Sequence, residues 1–335
     1  TSMGMNQLDL PRREFLGGAV FGVNGNWSGN RTPDANDEAY MRGAGLVTMN
    51  ADDTVAGLNI SGNTTLALGS HSLNVNGTLV LEEGFSNATA SIVVASTSQL
   101  IANDIRLGRD GELDMVGGVV SVLGDLDMSV APPVQPSLVT GFGTVTVIGQ
   151  FKGVGHINPD GGVLTINAGS FDLDGDSDEY GFTEIDATLG SVTFNGPQLG
   201  PIEGDIDIGF GRLVTFSHAW THDQYGDITI TDGGLINNGT WTSRGQVVIN
   251  HTVPFGVVGI GGTGAMVQET TGSITTSGIV DFLGHSTIGG ALHLTTEAVR
   301  FSAGGSFSST ASVTLDPATE LYLILANTYT VEQGA

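Results

Sequence analysis

Cysteine is absent, lysine occurs once, at Lys152, and 10 basic residues stand against 35 acidic ones, a formal charge of −25 over 335 residues. Each scarcity removes a class of function. Without thiols there is no disulfide framework, no thiolate metal site and no cysteine nucleophile. With so few cations the chain cannot neutralise a phosphate backbone, so nucleic acid is excluded as a partner and anionic membrane surfaces are disfavoured. No apolar run approaches the ~18 residues of a membrane span, so no membrane insertion is expected. The lack of cysteine leaves an extracellular life open, because a large repetitive β core needs no covalent staples. The carboxylate surplus favours solubility through self-repulsion, or screening by divalent cations in a salty medium.

Leu10-Pro-Arg-Arg-Glu-Phe-Leu-Gly17 resembles the twin-arginine export motif, but only Gly17 to Val23 follow before Asn24-Gly-Asn-Trp27 turns polar. An export signal needs an apolar helix at that point, so a short strand with exposed arginines is the better expectation.

Glycine is abundant, with 52 residues, and Ala, Val, Ile and Leu are interleaved with Thr, Ser and Asn instead of forming helical stripes. Apolar pairs spaced two apart recur, as in Leu58/Ile60, Leu66/Leu68, Leu73/Val75 and Leu79/Leu81, with Gly, Asn or Ser between pairs. Each pair marks a short strand with one buried face. The same rhythm returns at Ile105/Leu107, Leu113/Met115, Val120/Val122 and Leu126/Met128. Three such strands fill about 20 residues, the size of one solenoid turn. Trp220-Thr and Trp241-Thr are each followed by Gly, one residue and an aliphatic pair, 21 residues apart. That interval predicts a rung-to-rung stack of Trp220 on Trp241, in the core or along one face.

The expected fold is therefore all-β, a right-handed parallel β-helix or β-solenoid of short strands. The expected divisions are an irregular N-terminal cap over 1–45, a solenoid section over 46–130 and a Pro-rich loop or hinge at 131–136. A second solenoid section follows over 137–326, with an acidic loop near 172–181, and then a tail over 327–335.

Three passages resemble the repetitive surface β-solenoids of bacteria, of the kind found in autotransporter passengers. They are Asn26-Trp-Ser-Gly with Pro33 and Asp34, the coil at 62–77, and Phe171-Asp-Leu-Asp-Gly175 with the coils after it. The resemblance implies a parallel β-helix serving as stalk, adhesin, sheath or fibre outside the cell. It carries over no catalytic motif, and a membrane-barrel half is not evident in this chain.

Chemistry-bearing residues are few. Asp172, Asp174, Asp176, Asp178 and Glu179 fit either an irregular calcium loop or a solvated acidic loop. A regular calcium loop counted from Asp172 fails, with Ser177 at the turn-glycine position and Thr183 where the closing glutamate belongs. Calcium is the one cofactor this pattern accommodates. Hydrolysis of a glycosidic bond needs two carboxylates roughly 5 to 9 Å apart. Asp205 and Asp207, with Asp223, His218 and His222 nearby, are the candidates, but a spacing of two simply shares one strand face. The two histidines read as surface loop residues, and the glycines of Gly259-Ile-Gly-Gly-Thr-Gly264 as turn formers, because no lysine follows to hold a phosphate. Asn-x-Ser/Thr triplets such as those at Asn59 and Asn63 read as turns and polar ladders.

Glu320-Leu-Tyr-Leu-Ile-Leu-Ala326 is the most hydrophobic β-prone run, and Leu321, Tyr322, Leu323, Ile324 and Leu325 are the expected assembly strand. The functional expectation is an extracellular, non-enzymatic structural protein whose partners are copies of itself, joined head-to-tail into a fibre, sheath or surface layer. The alternatives are a monomeric adhesin that binds surface glycans and a carbohydrate-active β-helix enzyme.

Overall fold

The computed structural model describes residues 10–82, 89–128, 136–173, 182–252, 258–277, 279–283, 286–294, 298–301, 305–307, 311–315, 320–323 and 329–331. Nearly every element is a parallel strand, and together they wind into a β-solenoid of about 11 turns with ~21 residues per turn. At ~4.8 Å per rung that is a column roughly 50 Å tall.

The strands sort into three stacks, here called faces one, two and three. On face one, Val47 lies over Leu66, then Ile92, Leu113 and Val139. The column continues in register through Ile157, Ile185, Ile206 and Ile228 to Val247, Ile274 and Leu292. On face two, Leu73, Leu100, Val120, Val145 and Ile166 lead into Phe194 and Phe216. On face three, Leu58, Leu79, Ile105, Leu126, Phe151 and Phe171 form the column. Beyond a single bridge from Phe171 to Gln198, that face resumes at Trp220, Trp241 and Met266.

These ladders follow from the two-residue period. A one-residue slip would turn every apolar side chain outward, so burial of one face fixes the register. All the ladder residues are buried, and each contributes about 1.5–3 kcal/mol relative to exposure. Where a strand turns a corner, glycine lets adjacent coils touch. Gly141 adopts φ +85° beneath the Met115 carbonyl, where any Cβ would collide with backbone.

Residues 10–37 cover the N-terminal end of the column. Arg12–Glu14 pairs on Glu38–Arg42, and the Phe21 N–H donates to the Thr48 carbonyl at 2.9 Å. The buried Trp27 ring meets Phe15 and Phe21 edge-on at 5.0 and 4.9 Å, and its Nε1 donates to the Phe21 carbonyl. Asp37, with no exposed side-chain surface, accepts from Arg13 at 3.3 Å and from Arg31 at 2.6 Å. Arg13 is thus drawn inward, unlike the exposed arginine expected. Residues 129–135, most of the Pro-rich stretch, lie outside the described residues, but the strands Gly111–Val122 and Ser137–Lys152 on either side pair directly with each other.

Candidate functional site

Of the acidic stretch, Asp172 ends the strand Gly155–Asp172, sits opposite Lys152 and accepts from Gln150 Nε2 at 3.1 Å. Asp174, Asp176, Asp178 and Glu179 lie outside the described residues. Among the described residues no three His, Asp or Glu side chains are grouped to hold a metal ion. Leu321, Tyr322 and Leu323 form a face-two rung opposite Val299, Arg300 and Phe301, while Ile324 and Leu325 fall outside the described residues.

Trp220 and Trp241 stack in the core, in register, with centroids 5.2 Å apart and planes 2° from parallel. They end a longer column. Phe151, Phe171, Phe194 and Phe216 lead to Trp220 through centroid distances of 5.9, 5.4, 5.0 and 4.0 Å. Only the tryptophan end is expected from the sequence, although the phenylalanines recur at nearly the same interval. Trp220 Nε1 donates to Asn237 Oδ1 at 3.2 Å, and Asn237 Nδ2 donates to the carbonyls of Gly239 and Ala265. A buried amide thereby satisfies the Trp220 ring, whereas Trp241 Nε1 is buried without a hydrogen-bond partner among the described residues.

Beside the tryptophans runs a polar seam. Two residues on along each strand, His222, Ser243 and Gln268 occupy consecutive rungs and point inward, all but fully buried. Gln268 Nε2 donates to the Ala291 carbonyl at 2.9 Å, but Gln268 Oε1 and Ser243 Oγ have no hydrogen-bond partner among the described residues. His222, expected on a surface loop, is the largest departure from the sequence reading. Burial drives its pKa down to about 4, against the upward pull of Asp223, Asp205 and the Gly226 carbonyl. That carbonyl faces the ring without reaching regular hydrogen-bond geometry. His218 is exposed, so the two histidines do not form a pair.

The outer surfaces divide by charge. On face one Glu184 stands opposite His156 at 3.1 Å, Asp186 stands over Asp207, and the Asp227 N–H donates to Asp205 Oδ1. Burial, reinforced by Asp205, Asp186 and Glu184, raises the Asp207 pKa. Burial does the same for Glu112 and Asp114 further along that face. Asp205 and Asp207 therefore belong to a flat acidic ladder.

Face two carries no charge on its outward positions across six successive rungs, from Gly111–Val122 to Gly234–Asn237. Its central row is Thr144, Thr165, Thr193 and Thr215, in register. Two residues on run Thr146, Asn167, Asn195 and Ser217, joined rung to rung, with Asn195 Nδ2 donating to Asn167 Oδ1 at 2.9 Å and Ser217 donating to Asn195. Exposed aliphatics, including Val119, Ile148, Val163 and Leu213, sit among these polar groups. The side-chain ladder stiffens the face: Asn195→Ala should cost about 1–2 kcal/mol, read as a shift in the urea midpoint. A shift below about 0.3 kcal/mol would mean that water replaces the ladder without loss.

No protein-family model, curated protein or solved structure matches this chain.

Proposed function

We propose that the protein is an extracellular structural element that assembles end to end into a fibre, sheath or surface layer. The observation that carries this reading is the shared register of the coils, which runs along face one from Val47 to Leu292 and along face two from Leu73 to Phe216. Like residues stack on like along three faces, so the chain is built as a rod of about 11 turns. Stability in such a column comes from nearest-neighbour coil contacts, which makes length and stiffness its natural product. The strands Ser312–Leu315, Glu320–Leu323 and Tyr329–Val331 each pair on one side among the described residues. A parallel edge of that kind accepts any strand set against it, from further along the same chain or from another copy.

Negative-stain electron microscopy of the purified protein tests the reading, in millimolar calcium and again after chelation. Filaments many times longer than the roughly 50 Å column are expected in calcium. Dispersal on chelation would tie the 172–179 stretch to assembly. Leu323→Asp, which sets a carboxylate in the strand Glu320–Leu323, should shorten the filaments to single columns. Isolated short rods of the unaltered protein in both conditions would sink the proposal.

A further inference from the structure

We propose that the charge-free strip of face two is a lateral contact between two copies of this chain, packed face to face. The strip goes beyond end-to-end growth and does not depend on it, since none of its residues lies in the terminal coil.

Charge favours this face. Two chains of formal charge −25 repel wherever their carboxylate ladders approach. The strip is a broad flat surface where that repulsion is absent, because its charges are held at the corners, with Asp160 beyond one edge and Asp104 and Asp125 beyond the other. The acidic ladder of face one lies on the same coils, so approach through face two also keeps the two acidic surfaces apart.

Composition and area favour it as well. Ile148 is 65% exposed and Val163 52%, and both stand on the strip. Between them the threonines present methyl groups on side chains that β-branching holds in few rotamers, so little entropy is lost on contact. Six rungs at ~4.8 Å and about five residues of strand at ~3.3 Å give roughly 450 Å² per copy. The total of about 900 Å² lies just below the ~1,000 Å² of a specific interface, which points to a weak pair that strengthens when several copies align. A second copy is favoured over a charged ligand, which nothing on the strip would balance. It is favoured over a small molecule because the strip is flat and small-molecule sites are concave.

Sedimentation velocity over about 5–500 µM tests the contact. The unaltered protein should show concentration-dependent pairing that strengthens with added salt, as screening removes the background repulsion. The Thr165→Glu/Thr193→Glu double variant should weaken pairing at least tenfold, because like charges then face each other in a desolvated contact. Thr229→Glu, on the acidic face, should leave it unchanged. The Thr165→Lys/Thr193→Lys variant, mixed with the glutamate variant, should recover a heteropair, an outcome that misfolding cannot mimic.

A monomer at every concentration and salt, or a glutamate variant that pairs normally, would overturn the proposal. So would an unpaired protein that binds an insoluble neutral polysaccharide through this face. Filaments of unchanged length in Leu323→Asp, with pairing intact, would break the end-to-end reading alone. Absence of pairing in the unaltered protein, with its filaments intact, would break the lateral contact alone.

Discussion

Ile206→Asp should destabilise the protein by on the order of 5 kcal/mol or more and split it into two independently melting halves. Ile206 is wholly buried in the face-one ladder, with Ile185 on one neighbouring rung and Ile228 on the other. A carboxylate there has aliphatic neighbours above and below. It must take up a proton, pull water into the column or force the rungs apart, and each route costs several kcal/mol. The geometry of a solenoid then decides where the damage goes. A globular core would spread it, but a coil touches only the coils on either side, so the lost contact separates the stack into blocks. Urea unfolding of the variant should show two transitions where the unaltered protein shows fewer, and limited proteolysis should cut between the coils flanking residue 206. Asp207→Asn, one residue along but outward, is the control. It removes a carboxylate crowded by Asp205, Asp186 and Glu184 and should be neutral or slightly stabilising at pH 7. A single cooperative transition in Ile206→Asp, shifted by less than about 1 kcal/mol, would mean that the ladders do not carry the stability assigned to them.

The architecture was legible because the strand period is two and the coil period is nearly constant. Leu58/Ile60 and Leu79/Leu81 announce both at once, and they do pair as adjacent rungs. The tryptophan pair was visible for the same reason. The rest of the aromatic column was harder to see because Phe151 and Phe171 lie on face three whereas Phe194 and Phe216 lie on face two. Their rings meet only because side chains from two faces converge on a narrow interior. The polar seam was hidden by a different cause. Alternation tells which residues share a face, but His222 shares its face with Trp220, and imidazole is polar enough to have been placed outside. Only the position of Trp220 in the core puts His222 there too. The division of charge between faces one and two was present in the sequence as Glu-x-Asp and Asp-x-Asp against Thr-x-Asn. It becomes a surface only once the register stacks Glu184, Asp205 and Asp227 on one side of the coil and Thr165 and Thr193 on another.

Acid should loosen the C-terminal half of the column through His222. Its pKa is lowered from 6.5 to about 4 in the folded chain, chiefly by burial. Between those two values the unfolded chain binds a proton that the folded chain refuses, so stability falls as pH falls through that window. A difference of about 2.5 units corresponds to roughly 3 kcal/mol at its limit, of which about 2.5 kcal/mol should be lost between pH 7 and pH 4.5. Below about pH 4 the folded chain also takes the proton and the loss levels off. Four carboxyls work in the opposite direction. Burial raises Asp53, Glu112, Asp114 and Asp207, so the folded chain takes protons on them ahead of the unfolded one and gains stability as acid is added. The total pH profile mixes both contributions, and a substitution separates them. His222→Leu keeps the position filled and removes the titration, while the four carboxyls remain. Urea unfolding at pH 7 and pH 4.5 should therefore show the unaltered protein losing about 2–3 kcal/mol more than the variant across that interval. Near pH 7 the variant should be at least as stable, because a neutral histidine with poorly satisfied nitrogens gives way to a side chain that needs no partner. Parallel pH profiles would show that His222 is not the group that titrates, and would place it in contact with solvent. A variant that collapses at pH 7 would instead show that the seam from His222 through Ser243 to Gln268 holds the rungs in register, a structural role that no proton need enter.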